Sequence, residues 1–359
     1  MVGIYPINMV SQMDSLQNSL INSLSCKNSL PFTSKIDIEI PNKLNINMPF
    51  LFNFNNSGGT EHMSATFNKY IANDLPKLKN YECVIVPGLG QKSFEDLLIG
   101  KKIILWIHNL LSQLNPKVRE FISSDEFLQK VEYLIVVSEY HKKELIKQLK
   151  IDSQKIIVIH NFVDFIENDI ERFNHFDKIK VIHSSTSIRG MSIILKSLPK
   201  ISESFELNIF NDFNPDIFYD SEFKFLLNDK RINFYGPTPR KTLQKYISES
   251  HIYLNPSIWE ETFCISQAEA ISANCLPVYN NVGSLSEISL NSGLQYKAKY
   301  KTEKDFNEHI DLFTKNFKDA IDLIKNKKFI PQNQSKKIYD KFSFNVFKDS
   351  WKNFHDEKL

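Results

Sequence analysis

The chain has 359 residues, of which 42% are hydrophobic and 24% charged; 44 basic and 42 acidic side chains leave a net charge of +2. That length suits two domains of ordinary size, and the composition excludes disordered and fibrous classes. Near-cancellation of charge excludes a global field for gripping a polyanion, so no nucleic-acid partner is expected.

Residues 1–45 are rich in Ser and Asn and read as an N-terminal extension. Short apolar runs with β-branched and aromatic residues follow at 49-PFLFNF, 81-YECVIVP, 102-KIILWI, 133-YLIVVS and 155-KIIVIH, the pattern of buried parallel strands. A second set comprises 178-KIKVIH, 205-FELNIF, 231-RINF, 251-HIYLN and 276-LPVYN, with helical segments around 139–149, 191–201, 239–249 and 264–273. This alternation predicts an α/β protein with two doubly wound, Rossmann-like domains. The polar stretch 164-DFIENDIERFNHFD has no strand pattern and serves as the linker, which divides the chain into 46–172 and 173–335. Residues 336–359 form a last helical segment whose spaced aromatics suit either domain, with packing back toward the first the expected arrangement.

The first twenty residues lack a signal-peptide pattern, and no run approaches the roughly 18 apolar residues of a bilayer span. Four cysteines without a CxxC pair suit reduced thiols, so a cytoplasmic location is expected. The basic segment 141-HKKELIKQLK offers a face for peripheral contact with anionic lipid, a solvated surface helix being the plain alternative.

Most of the ten glycines, Gly58, Gly59, Gly88, Gly90, Gly190, Gly236 and Gly283 among them, follow a predicted strand or open a helix. Tight βα turns favour glycine in any case, but these are also the places where an open α/β sheet brings backbone close to a ligand. In 255-NPSIWEETFCISQAEAISANCLPVYNNVGSLSEI, Glu261 lies in a loop and Glu269 on the helix that follows. A helix carboxylate can accept from a ribose diol and a loop carboxylate from sugar hydroxyls, while the N–H groups of Phe263, Cys264 and Ile265 can meet a diphosphate. Taken alone, two glutamates at this spacing are weak evidence and fit solvated surface charges better.

The segment E261-TFCISQA-E269 resembles the Glu-x7-Glu signature of the family 4 retaining glycosyltransferases, in particular a bacterial and viral subgroup with ETFCIS and S-x4-R-G motifs. Collinear segments extend the resemblance over about 49–357, including FNNSGGTEHM, LWIHN, KIIVIHNFVD, SSTSIRGMSIILKSLP and LPVYNNVGSLSEI. The resemblance implies a GT-B fold, with an acceptor domain first, a donor-nucleotide domain second and an interdomain cleft. It implies no cofactor beyond a nucleoside-diphosphate sugar as substrate, and a glycan or lipid-linked acceptor. Arg189 resembles the cation that neutralises the diphosphate, Glu261 the donor-sugar contact, Glu269 the ribose contact, and His108 a histidine facing the reaction centre. Gly58 and Gly59 resemble the glycine loop near the diphosphate, and Gly236, in a turn of the donor domain, is expected among the donor-binding residues.

Departures from the family pattern are informative. Ser184 stands where most relatives carry a second cation; its hydroxyl can hydrogen-bond the donor phosphate but adds no charge, and Arg240 or Lys241 are candidates to assist. Cys264, Phe162 and Asn274 stand where glycine is usual; Asn tolerates left-handed backbone better than the other two. Cys264 lacks a base partner and reads as a buried thiol rather than a nucleophile. No Asp-x-Asp motif occurs, so metal independence is expected, and the resemblance implies a hexosyltransferase-like activity. The rival readings are a GT-B sugar-nucleotide epimerase and a catalytically silent carbohydrate-binding scaffold.

Overall fold

The computed structural model describes residues 59–86, 98–167, 170–186, 189–211, 229–299, 301–331 and 334–359. The expected extension, the first expected strand at 49–54, Gly58, Gly88 and Gly90 lie outside them.

The first sheet has strands β1 (Glu82–Val86), β2 (Ile103–Ile107), β3 (Val131–Val136) and β4 (Ile156–Val158), paired in that order and all parallel. Every residue of β2 is buried, because helices cover both faces of a parallel sheet. Burial of each Ile or Leu there contributes about 1.5–3 kcal/mol. Helix α1 (Gly59–Tyr70) packs Met63 and Phe67 on one face of this sheet. The short helices α2 (Pro116–Ile122) and α3 (Asp125–Lys130) put Ile122 and Phe127 in the other cluster, joined by Leu145 of α4 (Glu139–Gln148).

The second sheet is built from β5 (Ile179–His183), β6 (Phe205–Ile209), β7 (Ile232–Phe234), β8 (Ile252–Asn255), β9 (Leu276–Asn280) and β10 (Leu294–Tyr296), in the order β10-β9-β8-β5-β6-β7 and wholly parallel. The strand order reverses between β5 and β8. Ligands bind open α/β sheets outside the carboxyl ends of the strands at such a point. Around this sheet lie α5 (Met191–Ser197), α6 (Arg240–Glu249), α7 (Ile265–Ser272), the short α8 (Leu285–Ile288) and the long α9 (Glu303–Lys325). Two such sheets, each with its own helices, make the GT-B fold.

The expected strands from 81 onward and the helices at 139–149, 239–249 and 264–273 coincide with elements, while the segment at 191–201 divides into α5 and a 3-10 turn (Leu198–Lys200). The expected C-terminal helix is two helices, α10 (Gln334–Phe342) and α11 (Phe344–Lys358), turning at Ser343. Ile338 and Phe342 of α10 pack with Phe263, Ala268 and Ile271 beside the second sheet. Phe347, Trp351 and Phe354 of α11 pack with Trp106 and Phe67 on the first. A further tie crosses between the sheets: the Glu287 carboxylate accepts from the backbone N–H of Glu139 (2.9 Å) and Tyr140 (3.0 Å) at the start of α4, and lies 3.0 Å from His160 Nε2. Among the described residues, no helix is long and apolar enough to cross a membrane.

Candidate active site

The loops leaving β5 and β8 meet at the reversal of strand order. Gly190 (φ +93°) starts α5, and a Cβ on it would lie 2.3 Å from the Pro256 carbonyl oxygen, so only glycine lets the loops approach this closely. The approach brings Arg189 onto Glu261: the guanidinium Nε and Nη2 both donate to the carboxylate, and Nη1 donates to Thr186 Oγ1 at 2.9 Å. Glu261 is buried, with 7% of its side chain exposed against 25% for Arg189. Burial pushes the Glu261 carboxyl up, and the Arg189 charge opposes that shift.

The backbone of the Glu261 loop is pinned nearly residue by residue. Ser284 N–H donates to the Glu261 carbonyl at 2.8 Å, and Gln113 Nε2 donates to the Glu260 carbonyl at 2.7 Å. The Thr262 hydroxyl donates to the His108 carbonyl. Gly283 (φ +64°) packs directly beneath, where a Cβ would lie 2.4 Å from the Glu261 carbonyl oxygen. Asn255, at the end of β8, donates to Gln267 Oε1 at 2.8 Å and so fixes the start of α7 relative to its strand.

A cavity of about 150 Å³ opens here, and both sheets supply its walls. Gly59 and Thr60 of α1, His108, Asn109 and Gln113 after β2, and Asn161 after β4 form one side; Arg189, Trp259, Glu261, Thr262, Phe263 and Ile265 form the other. Its lining thus includes a partly buried ion pair and several amides, suited to a ligand rich in hydroxyl groups. His108 is buried beside the Trp106 ring, and burial together with the nearby His141 depresses its imidazole to about 3. It is therefore neutral at physiological pH, with Nε2 free of any hydrogen-bond partner among the described residues. Asn161 Oδ1 is likewise buried without a partner. An unpaired buried polar atom costs about 1–3 kcal/mol, which a ligand hydroxyl can recover.

The other expected site residues lie on nearby elements. Cys264 caps α7 with extended backbone (φ −91°), and Gln267 and Ser266 approach its thiol. Burial lifts that thiol to about 11, which suits the inert reading. Phe162, in another position where glycine is usual, is buried against Phe347, while Asn274 adopts left-handed backbone (φ 62°). Ser184 follows β5 next to the Tyr253 phenol. Gly236 (φ +66°) follows β7 and faces open space. Gly59 faces the Ile265 side chain, 2.7 Å from where its Cβ would be.

Glu269 does not line the cavity; it is buried on α7, where Arg240 bonds one carboxylate oxygen. The candidate helper cation Arg240 is thus already committed, to Glu269 and to Asp164 at 2.9 Å. Asn109, Gln113, Asn161, Trp259 and Thr262 join the site without having been singled out by the sequence. The Asn109, Asn161 and Thr262 positions lie inside the motif segments, which is the one signal that could have found them.

Residues 189–329 match the family model described as Glycosyl transferases group 1, and residues 83–167 match that described as Glycosyltransferase Family 4. No curated protein sequence matches the chain significantly. Among solved structures, a glycosyltransferase from Rickettsia africae ESF-5 is similar at 16% identity, over 83% of this chain and 80% of that one (TM-score 0.61). Anabaena Alr3699/HepE, crystallised with UDP-glucose, is 12% identical over 79% of this chain and 81% of its own (TM-score 0.58). The pneumococcal O-GlcNAc transferase GtfA, in complex with UDP and GlcNAc, is 14% identical over 84% of this chain and 60% of its own (TM-score 0.59). The two family matches and the shared fold support a glycosyltransferase of the GT-B kind.

Proposed function

We propose that this chain is a retaining, metal-independent glycosyltransferase that moves a sugar from a nucleoside-diphosphate sugar to a hydroxyl of a glycan, lipid-linked or other acceptor. The observation that carries the reading is the Arg189–Glu261 pair, held at the strand-order reversal of the second sheet and facing a cavity that the first sheet completes. Similar structures crystallised with UDP-glucose, or with UDP and GlcNAc, make UDP-sugars the first donors to test.

In this reading the diphosphate lies against Arg189 and the start of α7, and the sugar lies in the cavity against Glu261. The anomeric C–O bond to the diphosphate breaks with oxocarbenium character, and the acceptor oxygen forms its bond from the same face. The acceptor proton passes to the departing phosphate oxygen, so no covalent enzyme intermediate forms. Negative charge grows on the leaving group, and a preorganised cation there is worth about 3–4 kcal/mol of barrier. Neutral His108 offers its unpaired nitrogen to a sugar or acceptor hydroxyl. Glu269 receives the ribose.

The test is incubation with UDP-, GDP-, ADP- and CMP-sugars, with and without glycan and lipid-linked acceptors. Acceptor-dependent release of the nucleotide with an unchanged anomeric configuration is the expected result. A changed sugar nucleotide, or an epimerised free sugar formed without acceptor, replaces the reading with the epimerase. Failure to bind or turn over any donor replaces it with the silent scaffold.

A further inference from the structure

The Glu269 carboxylate is enclosed, with only 4% of its side chain exposed, and the Arg240 guanidinium bonds its Oε1. Arg240 is the first residue of α6, a helix end where the dipole disfavours a cation. A second carboxylate holds it there: Arg240 Nε donates to Asp164 Oδ2 at 2.9 Å, and Gln244, one turn along α6, donates to the same oxygen at 3.3 Å. Asp164 belongs to the segment joining the two sheets, and His62 Nε2 of α1 lies 4.0 Å from it. A chain of polar groups thus runs from α1 through the linker to α7.

We propose that Arg240 is a positioning residue for nucleotide binding: anchored by Asp164, it keeps Glu269 ionised and in place to accept from ribose hydroxyls. The proposal rests on the reading of Glu269 as the ribose-binding group. An ionised carboxylate only accepts and can take both hydroxyls of a diol, whereas a protonated one carries a donor of its own. Burial and a neighbouring carboxylate both favour the protonated form. The charged groups facing Glu269 are Arg240 from α6 and Asp164 from the linker. Burial raises the Glu269 carboxyl to about 7, with Arg240 pulling it down and Asp164 pushing it up. Without Arg240 only the two influences that retain the proton remain, and ribose binding then waits for a more alkaline pH.

Calorimetric titration of the full chain with UDP, GDP and ADP between pH 6 and 9.5 tests this, using wild type, Arg240→Gln, Arg240→Lys and Glu269→Gln. For the tightest of the three nucleotides, wild-type affinity should rise through a transition near neutrality. Arg240→Gln should move that transition up by about 1–2 pH units, bind about 5–50-fold more weakly at pH 7 and recover most of its affinity by pH 9.5. Arg240→Lys should restore the wild-type profile, which a merely structural lesion would not allow. An Arg240→Gln profile that superimposes on wild type, or tighter binding at pH 7, overturns the proposal while leaving Glu269 in its role. Glu269→Gln should bind weakly without the transition; wild-type affinity in that variant overturns the ribose reading itself, and absence of binding by the wild type to all three overturns both.

Discussion

The Thr262 hydroxyl donates to the backbone carbonyl of His108, so the residue after Glu261 is tied to the residue after β2. Gln113 makes the matching tie on the other side, to the Glu260 carbonyl. Glu261 is therefore held between two hydrogen bonds that join the loops of different sheets. Thr262→Val keeps the shape and removes one bond, at about 0.5–1.5 kcal/mol. A drop of a few degrees in melting temperature is expected, with a larger proportional loss of turnover than of nucleotide affinity. Thermal unfolding and steady-state kinetics on the same preparation check it.

Gly283→Ala puts a methyl 2.4 Å from the Glu261 carbonyl oxygen and on left-handed backbone (φ +64°). Backbone must move, and Glu261 is the backbone in the way. Destabilisation of about 1–3 kcal/mol by urea unfolding is expected, together with loss of transfer. Gly236→Ala is the control: its φ of +66° also strains alanine, but nothing lies within 4 Å of the added Cβ. It should lose less stability and retain more activity.

Arg189→Ala leaves the Glu261 carboxylate buried without its cation. Breaking a fully buried pair costs about 3–5 kcal/mol, and the partial exposure of Arg189 reduces that here. Transfer should fall about 10²–10³-fold, because the leaving diphosphate loses its cation as well. Arg189→Lys keeps the charge but cannot reproduce the two-pronged contact, and its turnover should lie between those of Arg189→Ala and wild type.

Acid should unfold the protein through its buried histidines. His108 is depressed to about 3, and His141, His183 and His309 to about 4, in each case chiefly by burial. Below about pH 6.5 the unfolded chain takes up protons that the folded chain refuses, so stability falls as pH drops toward 4. Each such group contributes a slope of about 1.4 kcal/mol per pH unit. Glu269, raised to about 7, works in the opposite sense between pH 4.5 and 7 and offsets one of the four. Urea midpoints measured from pH 7.5 to 4.5 should decline below pH 6.5, and more shallowly in a His309→Gln variant.

Most of both sheets was legible because parallel strands covered on both faces must be continuous apolar runs, as in β2 and β9. β10 escaped because three residues, only one of them buried, carry no period. Helix α9 was missed although its signals are in the sequence: Thr302 and Asp305 form a capping box, and Ile310, Phe313, Phe317, Ile321 and Ile324 recur at helical spacing. The two glutamates stood out by spacing, but their partners did not. Arg189 is 72 residues from Glu261, and Arg240 is 29 from Glu269 and 76 from Asp164. Pairings over such distances are products of the reversed strand order, which motif spacing does not encode. Asn161 and His108 present the same difficulty: the atoms that matter are the ones left without partners, visible only once the surrounding bonds are known.

The most direct measurement is a crystal structure of the protein soaked with UDP, GDP or ADP. The account predicts the diphosphate within hydrogen-bond reach of Arg189 and of the N–H groups of residues 263–265, with the ribose on Glu269 and the Glu261 carboxylate facing the place of the sugar. A nucleotide seated elsewhere, with the Arg189–Glu261 cavity untouched, would contradict it.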